Sequence, residues 1–159
     1  MLEHLANWGE FIGGIAVVIS LIYVGVQLRA TVTQARVDSL TKITELWAQY
    51  AAVIASDAES WRVYYEGVKD YASLTNAEKA RFNFLIGMYF GIVDTLMVHE
   101  EAGTFIYPET YRRNLDQAYA VFCQPGVQKW WDTSGKGRVF APKVEIYLLE
   151  RLKKENGVS

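Results

Sequence analysis

Phe11 to Leu28, FIGGIAVVISLIYVGVQL, is a run of 18 residues without one charge. As a helix rising about 1.5 Å per residue it covers roughly 27 Å, close to the hydrocarbon thickness of a bilayer. Eleven of its residues are Phe, Ile, Leu or Val. Together they favour insertion by on the order of 5 kcal/mol, before Ser20, Gln27 and three glycines offset part of that. Trp8 and Tyr23 are residue types favoured near membrane interfaces. The run is therefore expected to be a single transmembrane helix, with membrane lipid as its first partner. The alternative is a buried helix in a soluble core, because 18 residues is near the lower limit for a span. A cleaved signal peptide fits less well: the leader MLEHLANWGE has no basic residue, and Gln27-Leu28-Arg29 offers no small-x-small cleavage site. The segment is expected to be retained.

Charge sets the expected orientation. Glu3 and Glu10 precede the run, and all 16 Lys and Arg of the 159-residue chain lie from Arg29 onward. Arg29, Arg36 and Lys42 follow the run closely, and basic residues near a span prefer the cytoplasmic side. This predicts an outer N-terminus and a cytoplasmic remainder. The part beyond Leu28 balances 16 basic against 16 acidic residues. It lacks the basic stripe of a nucleic-acid binder, so no nucleic-acid partner is expected. Cys123 stands alone, which leaves no intramolecular disulfide.

The rest reads as helix. From Arg29 to about Ala55 there is neither Pro nor Gly, and Val37, Leu40, Ile43, Leu46, Trp47, Tyr50 and Ile54 recur at three- and four-residue spacing. The span is expected to continue as a helical stalk. Ser56-Asp57 can cap a second helix to about Lys69, and Thr75-Asn76-Ala77-Glu78 has the form of a capping box for a third, to about Glu101, ended by Gly103. Pro108 opens a fourth helix to Cys123, Pro125 a short one carrying Trp130 and Trp131, and Pro142 a last one from Lys143 to Lys154. No segment reads as a strand. The expectation is an all-α protein of three parts: residues 1–28 as tip and span, 29–55 as stalk, and 56–159 as a helical bundle. Phe82 to Val98 is apolar enough to suggest a second span. Asn83 and Asp94 argue instead for the central core helix, with Gly87 and Gly91 letting a neighbour approach closely.

In two strings, Leu21 to Arg29 and Pro125 to Trp131, the chain resembles a family of small bacterial membrane proteins of unassigned function. Its members have one N-terminal span and a helical domain with a Pro-Gly-Val-x-x-Trp-Trp segment. The resemblance extends over nearly the whole chain, departs from the family pattern at Ser134 to Gly137, and implies a bacterial inner membrane. It implies no activity.

Candidate chemistry is sparse. His4 lies on the outer side of the expected span and His99 beyond its other end, so they cannot share a metal; no Glu-x-x-His or His-x-x-x-His spacing exists, and His99 is expected at a solvated helix end. Cys123 has no local His and is expected to be a buried thiol. Ser134-Gly135-Lys136-Gly137-Arg138 lacks the frame of a phosphate loop and reads as a turn. Asp94 is the carboxylate of interest, a candidate buried polar contact to Arg112 or Arg113. No catalytic, cofactor-binding or metal-binding residue is assigned, and no cofactor is expected.

Two functional classes remain. The leading one is a non-enzymatic, membrane-anchored helical protein that assembles with itself or serves as an accessory subunit of a membrane complex. Its basis is the stripe of small residues Gly9, Gly13, Ala16 and Ser20, which permits close helix packing in lipid. Trp61, Tyr65, Trp130 and Trp131 are candidates for a partner surface. Trp130 and Trp131 point about 100° apart on a helix, so one is expected to be accessible unless the helix is sandwiched. The second class is a membrane-tethered sensor or enzyme that holds a small apolar ligand in the bundle, with Asp94 or His99 as the polar contact.

Overall fold

The computed structural model describes residues 2–105, 107–135 and 142–155, with side chains from residue 13 onward. The described residues are all-α: a long N-terminal helix followed by a helical bundle. The helices are α1 (Leu2–Ala55), α2 (Ala58–Lys69), α3 (Asn76–Glu101), α4 (Pro108–Phe122), α5 (Pro125–Trp130) and α6 (Pro142–Glu155). A 3₁₀ turn spans Tyr71–Ser73, and a π-helical turn spans Trp131–Gly135 directly after α5. The chain divides into two compact units, Met1–Asp38 and Ser39–Ser159.

In the first unit the apolar residues are exposed all round the helix, among them Ile15, Val18, Leu21, Ile22, Val24 and Val26. A helix apolar on every side belongs in a protein core or in lipid. Here none of the most apolar 18-residue window is buried by protein, so length and composition suit a membrane span. Two polar side chains of the apolar stretch bond within the helix. Ser20 Oγ donates to the Ala16 carbonyl at 2.8 Å, and Gln27 Nε2 donates to the Tyr23 hydroxyl at 2.8 Å. Such pairing lowers the cost of carrying a hydroxyl and an amide into an apolar medium.

The second unit begins where α1 becomes one-sided. Ser39, Ile43, Tyr50 and Ile54 are buried, with Leu46, Trp47 and Val53 half-buried. Residues 39–55 thus belong with the bundle. Asp57 caps α2 by accepting from the Ser60 amide at 2.6 Å. At α3, Thr75 and Glu78 form the predicted capping box, with Thr75 N donating to Glu78 Oε2 at 2.7 Å and Glu78 N donating to Thr75 Oγ1 at 3.3 Å. The same helix ends in a left-handed turn at Gly103 (φ 65°). There the amides of Gly103 and Thr104 return to the carbonyls of Glu100 and His99 at 2.9 and 3.0 Å, the Schellman arrangement that glycine favours.

α3 is the central helix, as the sequence predicts. Phe82, Leu85, Ile86, Phe90, Val93 and Leu96 are essentially inaccessible, and α2, α4 and α6 all pack on it. Of the two glycines assigned a close approach, Gly91 has none. A methyl group at Gly91 would meet nothing within 4 Å, whereas one at Gly126 would stand 2.0 Å from the Gly67 carbonyl oxygen. It is α5 and α2 that touch backbone to backbone.

Candidate functional site

An open groove of about 790 Å³ runs over the bundle, walled by residues 47–58 of α1 and its turn into α2, with Trp61 and Tyr64 of α2, Tyr89 of α3, and Gln117 and Val121 of α4. Its aromatic residues pack on one another, edge-on or tilted. Trp47 and Tyr89 lie 5.5 Å apart between centroids, Tyr50 and Tyr89 5.9 Å, and Trp47 and Tyr50 6.0 Å. These separations fall in the favourable 4.5–7 Å range for aromatic pairs. From Tyr89 the aromatic chain continues inward through Phe90 (5.4 Å) to Trp130 (6.1 Å, rings nearly parallel) and Trp131 (6.4 Å). The groove is thus the outer end of a continuous aromatic core. Trp61, 55% exposed, stacks on Tyr65 at 6.1 Å along one side of α2.

Two polar features mark the groove. The Tyr50 hydroxyl is buried and donates to nothing among the described residues. Burial, and after it the neighbouring Tyr64, pushes its pKa far above the ordinary tyrosine value, so it stays protonated. An unsatisfied buried hydroxyl costs about 1–3 kcal/mol. Asp57, at the rim, is the one charged residue among the described lining residues. Hydrogen bonds from the Ser60 amide and hydroxyl hold its pKa below the usual carboxylate range, and Arg81 stands 3.8 Å away.

Close by, Arg62 gathers three carboxylates. It meets Glu59 at 2.7 Å, Glu66 at 2.6 Å and Glu78 at the start of α3. This clamp ties α2 to the α3 capping box. Arg62 together with the Thr75 amide lowers the Glu78 pKa to about 2, and the three carboxylates raise that of Arg62 above its ordinary value.

The residues singled out from sequence separate. Trp61 and Tyr65 are exposed on α2, but Trp130 and Trp131 are 4% and 3% accessible, so neither contributes to a partner surface. The expectation that one of them is accessible is corrected. α5 is sandwiched among α2, α4 and the 3₁₀ turn, and the π-helical turn lets Trp131 meet Phe122 edge-on at 5.2 Å while Trp130 stacks on Phe90. Cys123 is likewise exposed rather than buried, because it caps the C-terminus of α4 after the last core residue, Phe122. Asp94 Oδ1 is buried without a hydrogen-bond partner, and Arg112 pairs with Glu109 at 3.4 Å. No ion pair joins Asp94 to Arg112 or Arg113 among the described residues. His99 is half-buried, its Nδ1 3.1 Å from Thr104 Oγ1, and Thr104 in turn lies 3.5 Å from Ser39 Oγ.

Gly13, Ala16 and Ser20 stand exposed on α1, and a methyl group on Gly13 would meet nothing within 4 Å. His4 and Gly9 lie outside the residues whose side chains are described, and Lys136 to Arg138 lie outside the described residues. No group of His, Cys, Asp or Glu able to hold a metal ion occurs among the described residues. The groove has no signature in the sequence, although Trp47 and Tyr50 fall on the apolar stripe of α1 and Tyr89 lies within the apolar stretch Phe82 to Val98. Only the crossing of α1 over α3 makes them one wall. Comparisons of the chain with protein-family models, characterised proteins and solved structures gave no significant match.

Proposed function

We propose that this chain is a single-pass membrane protein that works by association, as a self-assembling protein or as a small accessory subunit of a bacterial inner-membrane complex. The observation that carries this reading is the first unit of α1, uncharged over 18 residues and exposing its apolar side chains in every direction. On one face Gly13, Ala16 and Ser20 leave room for a second helix. The Ser20 hydroxyl already donates within its own helix and needs no partner across such a contact. Replacing Gly13 and Ser20 together with Ile tests the interface by light scattering of the protein in mild detergent. A smaller particle than wild type is expected, and an unchanged oligomer mass removes the interface.

The basic residues after Leu28 support an outer N-terminus and a cytoplasmic bundle. Cys123 is exposed and can report on this directly. In intact spheroplasts an impermeant maleimide is expected to label a Glu3→Cys substitution made in a Cys123→Ser background, and to leave native Cys123 unlabelled until the membrane is opened. The reverse pattern inverts the topology.

A second reading is favoured by the groove. At about 790 Å³ it falls within the roughly 300–1,000 Å³ of small-molecule sites, and it is mostly apolar with few polar groups. On this reading the bundle senses or carries an apolar ligand against Trp47, Tyr50 and Tyr89. Binding of the neutral dye N-phenyl-1-naphthylamine to the protein in nanodiscs, above empty discs, is the expected result; no excess binding rejects it.

A further inference from the structure

We propose that the aromatic groove selects lipophilic organic cations, an inference that rests on the ligand-binding reading of the same groove. Five of its walls are rings, from Trp47, Tyr50, Trp61, Tyr64 and Tyr89, and the faces of Trp and Tyr attract cations, quaternary ammonium groups above all. The sign of the charge at the mouth agrees. Asp57 is the one charged residue among the described lining residues, and no Lys, Arg or His shares the lining with it. Oδ1 accepts from the Ser60 amide at 2.6 Å, and Oδ2 accepts from the Ser60 hydroxyl at 2.9 Å and the Ser56 hydroxyl at 3.5 Å; an ionised carboxylate has about four lone-pair sites, so acceptor capacity remains. Arg81 approaches only to 3.8 Å.

The surroundings add to this. Beyond the lining, Glu59, Glu66 and Glu78 gather on Arg62 and Arg81 approaches Asp57, so four carboxylates share two guanidinium groups in this network, while Lys69 and Lys79 stand over the Tyr65 and Tyr71 rings outside the lining. An apolar anion such as a fatty acid would meet a carboxylate with no lining cation to receive it. A neutral apolar molecule would fit the walls and gain nothing from the rim. A cation with an apolar body uses both.

The test uses the full chain in phosphatidylcholine nanodiscs, with empty discs as background. Bound N-phenyl-1-naphthylamine is displaced by tetraphenylphosphonium or by tetraphenylborate, which share one shape and differ in sign. Tetraphenylphosphonium is expected to displace the dye at a concentration at least tenfold lower than tetraphenylborate. Asp57→Asn is expected to weaken tetraphenylphosphonium by about three- to tenfold, about one screened charge contact, a larger loss than it causes for the uncharged dye. Asn is as good an N-cap as Asp, and Asp57→Ser is a second variant that keeps the cap. Trp61→Ala is expected to weaken dye and cation alike. Dye binding with equal displacement by the two ions, or with potency unmoved by both Asp57 variants, overturns cation selection and leaves the groove reading standing. Absence of any dye or tetraphenylphosphonium binding above empty discs overturns both.

Discussion

Gly126→Ala is expected to be the most damaging single-methyl change in the bundle. The new Cβ would stand 2.0 Å from the Gly67 carbonyl oxygen, 2.7 Å from that of Val68 and 2.8 Å from the Val68 carbonyl carbon. Real Cβ atoms essentially never come within 3.0 Å of another heavy atom. All three opposing atoms are backbone, so no rotamer change relieves the clash, and α5 must move off α2 by well over an ångström. α5 carries Trp130 and Trp131 into the aromatic core, so the displacement spreads to Phe90 and Phe122. Overpacking of this kind costs about 1–3 kcal/mol, occasionally more, and the loosened tryptophans place this site at the upper end. At roughly 4 °C per kcal/mol for a bundle of this size, Tm falls by about 10 °C. Gly91→Ala is the matched control. It adds the same methyl group in the middle of α3, where nothing lies within 4 Å, and it gains about 1 kcal/mol of helix propensity, raising Tm by about 4 °C. Near-UV circular dichroism of the detergent-solubilised chain follows the buried tryptophans and is insensitive to the helicity of the apolar segment of α1. A Gly126→Ala protein melting within about 2 °C of wild type, or a Gly91→Ala protein falling as far as Gly126→Ala, would refute the assignment of the close contact to α2 and α5.

Tyr50→Phe removes a buried hydroxyl that makes no hydrogen bond of good geometry and has the Tyr64 hydroxyl as its polar neighbour, so it is expected to change stability by less than about 1 kcal/mol in either direction; a larger loss in chemical denaturation would show that a full hydrogen bond to Tyr64 is formed. Glu78 makes stability pH-dependent: its folded pKa is depressed to about 2, so its contribution is present above the unfolded value near 4.5 and is lost as pH falls toward 2. Glu78→Gln, which keeps a capping-box side chain, is expected to flatten the denaturation midpoint between pH 4.5 and 2 relative to wild type, with Asp57 and Glu59 retaining part of the slope; identical slopes in the two proteins would exclude Glu78 as a source.

The helices of this protein are local facts, and the sequence determined them. Asp57, Thr75-Glu78, Gly103, Pro108, Pro125 and Pro142 each act on backbone amides or φ angles within a few residues, so the helix starts and stops at these positions are legible without knowing what packs where. The uncharged run from Phe11 to Leu28 is legible for the same reason, because the hydrophobicity of a helix apolar on all sides depends on no neighbour. Which apolar positions share a wall is not local. Trp47 and Tyr89 are 42 residues apart in the sequence and meet only where α1 crosses α3, so the groove they line has no linear signature. Trp130 and Trp131 looked like a surface because adjacent residues on a helix diverge. Burying both required α5 to be covered on two sides, which Gly126 permits by letting α2 approach its backbone. Cys123 looked like a core thiol from its apolar neighbours, yet it falls on the C-cap, where the chain turns outward. Periodicity fixes the face a residue takes on its own helix, and only the arrangement of the other helices decides whether that face is covered.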